Sequence, residues 1–164
     1  MLSSLAAKAE VKPISGTFIN FFWQDERNNY MNQRNVDQSD PQRWACKIGE
    51  LHEMGVDILI IVTVANEGRA MYPCSFMEHG YPEGRKSPVD AIMDTADSLG
   101  MKVFIGCGWA RDQLDDLTDP YVIETNRHFM DELAELYSRR PSFEGWYIPV
   151  EGCFIPYLSD YAVQ

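Results

Sequence analysis

Three times along this chain an apolar strand, a polar loop, an Asp-Pro or Ser-Pro step, a helical pattern and a short turn follow in the same order, and a fourth strand comes after the third unit. The strand candidates are ISGTFINFF (14–22), DILIIVTVA (57–65), KVFIGCG (102–108) and FEGWYIPV (143–150). Their ends recur about every 43 residues, which leaves room for one strand and one helix per unit. Such units give parallel strands joined by right-handed crossovers, because a parallel neighbour cannot be reached through a tight hairpin. The second candidate is almost continuous Ile, Leu and Val, as expected of a parallel strand covered on both faces.

Each helix opens alike, at Asp40-Pro41, Ser87-Pro88 and Asp119-Pro120. The Asp or Ser side chain accepts an orphan N–H of the first turn, and proline at the first helical position has no N–H to leave unpaired. Apolar residues then recur at helical spacing: Trp44, Ile48 and Leu51; Val89, Ile92, Ala96 and Leu99; Val122, Phe129, Leu133 and Leu136. Gly55 and Gly100 suit left-handed caps for the first two helices. The fold expected is α/β, the first half of a (βα)8 TIM barrel with four strands and three main helices. Residues 1–13 read as an N-terminal extension and 14–164 as one partial barrel domain. A full barrel needs about 250 residues, and four strands alone leave an unpaired edge on each side. The chain is therefore expected to be part of a longer protein or to pair with a second copy.

Loop lengths orient the barrel. Connections leaving the strands are long (23–39, 66–86, 109–118), whereas those entering them are short, as at Gly55-Val56 and Gly100-Met101. Barrels of this kind build their sites from the loops after the strands. No G-x-G-x-x-G or G-x-x-x-x-G-K-[ST] follows any strand, so nucleotide binding loses its usual signature and no cofactor is expected. The formal charge of −11 opposes nucleic acid and anionic membranes while leaving neutral ligands such as carbohydrate or another polyol open. Cys46, Cys74, Cys107 and Cys153 form no C-x-x-C pair, and they read as small buried thiols rather than as a metal site with His79. No apolar run approaches the ~18 residues of a membrane span. The N-terminus has no basic region before its apolar stretch, yet Ala7-Lys8-Ala9 has the small-x-small form of a cleavage site. Cytoplasmic and secreted locations both stay open.

Alternation along the last strand places Tyr147, Pro149 and Glu151 on one side and Trp146, Ile148 and Val150 on the other. With the second set toward the helices, Glu151 points to the barrel mouth, where partial desolvation by Tyr147 and its neighbours would raise its pKa to suit a general acid. A solvated turn glutamate is the other role open to it. Phe22, Trp23, Tyr72 and Trp109 follow strands at the same end, and sugar rings stack on such side chains. Ordinary packing of loops over the barrel top would use them equally well. Asp25, Asn66, Glu67, Arg69, Arg111 and Asp112 complete the polar set, with Glu67 directly after the second strand. His52, His79 and His128 have no Ser or Cys partner in a recognisable nucleophile motif.

Several stretches, in this order and spacing, resemble the domain-of-unknown-function family 4434 (DUF4434), a group of glycoside-hydrolase-like TIM barrels. They are GTFINFFWQD, Trp44, MGVDILIIVTV, Tyr72-Pro73, ADSLGMKVFIG and HFMDELAELYSRRPSFEGWYIPVE, together covering nearly all of 14–151. The resemblance implies a barrel related to retaining glycosidases, whose acid/base glutamate ends the fourth strand; that role falls on Glu151. Related sequences usually carry Asn before this Glu, whereas Val150 stands here and offers a substrate hydroxyl no hydrogen bond. The nucleophile would come from a later strand, so this chain alone lacks the second carboxylate. Trp23, Asp25, Asn66, Glu67, Trp109 and Tyr147 are the candidate substrate-binding residues, and a non-catalytic carbohydrate-binding or assembly protein made by pairing half-barrels is the competing reading.

Overall fold

The computed structural model describes residues 14–21, 38–66, 68–111 and 115–149. The N-terminal extension expected over 1–13 lies outside them. The elements run β1 (Gly16–Ile19), α1 (Pro41–Glu53), β2 (Ile58–Ile61), β3 (Ala65–Asn66), β4 (Arg69–Ala70), β5 (Glu78–His79), α2 (Pro88–Leu99), β6 (Lys102–Gly106), α3 (Pro120–Tyr137) and β7 (Phe143–Tyr147). β1, β2, β6 and β7 form one sheet in that order, every pair parallel, and β3, β4 and β5 form a small second sheet within the loop after β2. The architecture is α/β, a partial (βα) barrel of four parallel strands and three helices.

The helix starts follow from their caps. Asp40 accepts from the Gln42 N–H, Ser87 from Asp90 and Asp119 from Tyr121, each with proline in the first turn. Gly100 caps α2 at φ 69°, and Gly55 just after α1 has φ 91°, conformations that glycine adopts at least cost. On α3 the buried stripe is Val122, Thr125, Phe129, Leu133 and Tyr137. Leu136, expected on that stripe, is 42% exposed; it lies one residue, about 100° of helix, from the side that Tyr137 occupies.

Strand register sorts the sheet into two faces. Leu59, Ile61, Val103 and Ile105 are wholly buried, with Ile19 beside them, and they meet Ile48, Val89, Ile92, Phe129 and Leu133 from the helices. Burying each such side chain stabilises the fold by roughly 1.5–3 kcal/mol. The opposite face carries Phe18, Ile60 and Phe104 in one register row, and here Phe18 is 60% exposed. In a flat sheet the outer strands β1 and β7, three spacings of about 4.8 Å apart, would hold their side chains roughly 14 Å apart. The rings of Phe18 and Tyr147 meet edge-on with centroids 5.7 Å apart, so the sheet curls and this face is its concave side.

Two strand expectations are corrected. The run 57–65 is not one strand: the Val62 N–H still donates to the Ile19 carbonyl, but the Thr63 hydroxyl donates to the Ala65 carbonyl and the chain turns into the second sheet. The last strand keeps the expected Trp146/Tyr147 alternation but is irregular before it and ends at Tyr147, short of the run 143–150. Val103 pairs with Phe143 and Phe104 with Gly145, so Glu144 is an extra, bulged residue. Phe143 and Trp146 therefore both pack on the helix side, with ring centroids 5.0 Å apart, while Tyr147 lies on the concave side as expected. Ile148, expected toward the helices, is 58% exposed, because it follows the end of β7 and no longer obeys the strand's alternation.

Candidate functional site at the strand ends

At the carboxyl ends of the strands the chain passes through Asn20 and Phe21 after β1, Val62 to Val64 after β2, Cys107 to Trp109 after β6, and Ile148 and Pro149 after β7. Close approach of β2 and β6 is set by Gly106, where a Cβ would stand 1.9 Å from the Val62 carbonyl oxygen. The next glycine, Gly108, fits only because it lacks a Cβ, which there would meet the Phe129 ring at 2.4 Å. The motif FIGCG thus brings the chain after β6 hard against both β2 and α3.

From there Trp109 works as a clasp. Its backbone N–H donates to the Ala65 carbonyl and its indole Nε1–H to the Pro149 carbonyl, each at 2.8 Å. One residue therefore ties the start of β3 to the segment that follows β7, and the half-buried indole has its N–H already engaged. Asn66 follows Ala65 directly and faces Arg69 across the β3–β4 turn. Its Oδ1 is buried and has no hydrogen-bond partner among the described residues, an acceptor unsatisfied in a place where such groups cost free energy. Tyr147 lies on the concave face against Phe18, two positions before Pro149.

Asn66 and Trp109 are thus brought together at the mouth, with Tyr147 on the concave wall. Trp23, Asp25, Glu67 and Glu151 lie outside the described residues, as do Phe22, Asp112, Val150 and Cys153. Other candidates have different work. Arg111 donates to Asp119 at 2.8 Å and sits over the Tyr121 ring at 4.8 Å, so it buttresses the α3 cap. The Tyr121 N–H and Arg111 together hold the Asp119 carboxyl below its usual range. Tyr72 is wholly buried and its hydroxyl donates to Glu132 on α3, which is the loop-packing role. His79 donates to the Cys74 carbonyl oxygen and stacks on Tyr81.

Cys74 and Cys107 are buried and Cys46 is exposed. Burial pushes the Cys107 thiol up to about 11, leaving it protonated and weakly nucleophilic at neutral pH. Among the described residues no group of three or more His, Cys, Asp or Glu could hold a metal ion, and no helix is long and apolar enough to cross a membrane. Two contributors to the mouth escaped the sequence reading: Thr63, whose buried hydroxyl supports Ala65, and Glu132, which holds Tyr72. Neither stands in a motif, and their partners lie in other segments or depend on the exact turn.

The family model described as Domain of unknown function (DUF4434) matches residues 14–164. Among solved structures, a candidate alpha-L-fucosidase from Bacteroides thetaiotaomicron VPI-5482 is similar at 24% identity and a TM-score of 0.60, over 91% of this chain and 46% of that one. A GH99 endo-alpha-mannosidase from the same species is similar at 14% identity and a TM-score of 0.49, over 81% and 41%. An alpha-L-fucosidase of family GH29, also from that species, is similar at 20% identity and 0.44, over 71% and 28%. The first likeness shows the shared barrel fold, and the chain spans under half the length of that protein. No curated protein matches the chain.

Proposed function

The chain belongs to the DUF4434 family, and from that premise we propose that it is a glycoside-hydrolase-like barrel domain that binds carbohydrate, or another neutral polyol, at the strand ends. Within a complete barrel Glu151 serves as general acid/base. The observation that carries this reading is the Trp109 clasp, which joins the Asn66 turn to the end of β7, two positions before Glu151 in the chain. Asn66 borders the ligand at the β3–β4 turn, Trp109 and Tyr147 supply apolar ring surface, and Trp23, Asp25 and Glu67 complete the binding set.

In the reaction Glu151 gives its proton to the glycosidic oxygen as the bond to the anomeric carbon breaks. A second carboxylate roughly 5 Å away attacks that carbon, and the Glu151 carboxylate then takes a proton from the water that releases the sugar. The second carboxylate is assigned to a strand beyond these four. Positioned proton transfer contributes about 10²–10⁴-fold. The test compares Glu151→Gln with wild type, in the barrel-complete protein, on aryl glycosides with good and poor leaving groups. Loss of that size, greatest for poor leaving groups, is expected; equal turnover removes Glu151 from the mechanism.

A second reading, binding or assembly without turnover by paired half-barrels, is favoured by one observation: Phe18 and Ile148 are 60% and 58% exposed, and β1 and β7 are the outer strands of the sheet. A second copy turned half a revolution about the barrel axis would lay its β1 parallel to β7. Sedimentation of this chain as a dimer, with oligosaccharide bound and no reducing ends released, supports it; a stable monomer at tens of micromolar rejects it.

A further inference from the structure

We propose that Glu132, far along α3, is a positioning residue for the strand-end site: it pins the loop whose β3–β4 turn carries Asn66 and receives Trp109. The inference rests on the mouth being the ligand site. Glu132 lies twelve residues after Pro120, about 18 Å of helix from the end of α3 that faces the mouth, so it acts through the loop and not on a ligand.

The pin is a carboxylate that accepts two donors at once. The Tyr72 hydroxyl donates to one oxygen and the Ser75 backbone N–H to the other, both at 2.7 Å. Next to it, Phe76 packs against His128 and Phe129 with centroids at 5.7 and 5.1 Å, which seats the loop on the same side of α3. Burial raises the Glu132 carboxyl, but the bonds from Ser75 and Tyr72 outweigh it and leave the group below its usual range. It is therefore ionised at neutral pH and accepts at both oxygens.

Position passes from this pin to the mouth through backbone bonds alone. The Met71 N–H, next to Tyr72, donates to Val64 just before β3, while the Met71 carbonyl accepts from Val89 at the start of α2. Gly80 N–H donates to Ala70, Ala70 pairs with Ala65, and Ala65 accepts from the Trp109 N–H. The path from Glu132 to the two mouth residues thus runs through the buried Tyr72 side chain and then through backbone hydrogen bonds. Removing the carboxylate leaves the hydroxyl of the wholly buried Tyr72 without its acceptor, which favours a shift of the loop toward water, while the exposed Ser75 N–H turns to solvent and no longer ties the loop to α3.

The experiment uses the whole chain, ¹⁵N-labelled, and follows amide exchange at Met71, Gly80 and Trp109 together with the Trp109 indole N–H signal. In Glu132→Ala, exchange at those three amides is expected to rise at least tenfold and the indole signal to shift, while Val103, bonded to Ser142 across the main sheet, changes less than threefold. Glu132→Gln is expected to restore the wild-type pattern, because its amide oxygen accepts from Ser75 and its NH₂ donates to the Tyr72 oxygen. Unchanged exchange at Met71, Gly80 and Trp109, or equal acceleration everywhere, overturns the proposal, the second outcome meaning general stabilisation only. If Glu132→Ala does not fold, Tyr72→Phe is read by the same criteria. No readout involves a sugar, so failure of the carbohydrate reading leaves this result standing, and failure here leaves the Glu151 assignment to its own test.

Discussion

Gly106 shows how far one residue can decide the mouth. A methyl group there would sit 1.9 Å from the Val62 carbonyl oxygen, and the obstacle is backbone that cannot rotate away. Gly106→Ala is expected to destabilise the chain by about 1–3 kcal/mol, read as a lower denaturant midpoint with an unchanged slope, and to weaken the Trp109 N–H bond to Ala65 that lies three residues on. In the sequence Gly106 is simply one of the two glycines in the strand run KVFIGCG, and nothing about FIGCG reveals which carbonyl it faces. Trp109 was legible as an aromatic after a strand, but its indole bond to Pro149 joins positions 40 apart, and so depends on the sheet order. Leu136 was misplaced for a simpler reason, since Leu136 and Tyr137 are both apolar and helical periodicity alone does not say which one turns inward.

At the scale of elements, α2 and the start of β7 are strapped together by charge. Arg140 Nε donates to Asp97 at 2.8 Å and its Nη2 to Asp94, while the Ser142 N–H donates to the other Asp97 oxygen at 2.8 Å. Burial raises the Asp97 carboxyl, and the Ser142 and Arg140 bonds more than offset this, so it stands below its usual range; Lys86 and Arg140 lower Asp94 against a smaller burial effect. Because both folded-state values are depressed, the stabilisation is fully present above the unfolded carboxylate pKa of about 3.9 and is lost as pH falls through the lower folded values. Arg140→Met is expected to cost on the order of 1 kcal/mol at pH 7, after allowing for partial exposure, and to flatten the acid limb below pH ~4. Melting temperature against pH for both chains checks this. The three Asp/Ser-Pro starts were readable because capping is local, needing only the residues on either side. The strap was not, because its partners lie 43 to 46 positions apart.

For the whole molecule the contrast between the two sheet faces matters most. Ile105→Ala on the helix side is expected to cost about 2–5 kcal/mol, the range for a wholly buried side chain losing its neighbours. Ile60→Ala on the half-covered concave side should cost about 1 kcal/mol or less in this chain and considerably more wherever a further four strands close over it. Urea unfolding of both variants decides the matter, and equal costs would mean that the concave face is already part of the core. By itself the sequence determined the class of fold, the order of the units and the helix starts, because strand period, helical period and caps are set by near neighbours along the chain. It also marked the strand ends as the place to look for a site. Tertiary structure alone decided that Phe18 and Tyr147 meet across the concave face, that the run after Ile61 breaks into a second sheet, and that Trp109 rather than Tyr72 reaches the mouth. Those outcomes depend on carbonyls, rings and carboxylates that meet only after distant segments have packed, so no local pattern carries them.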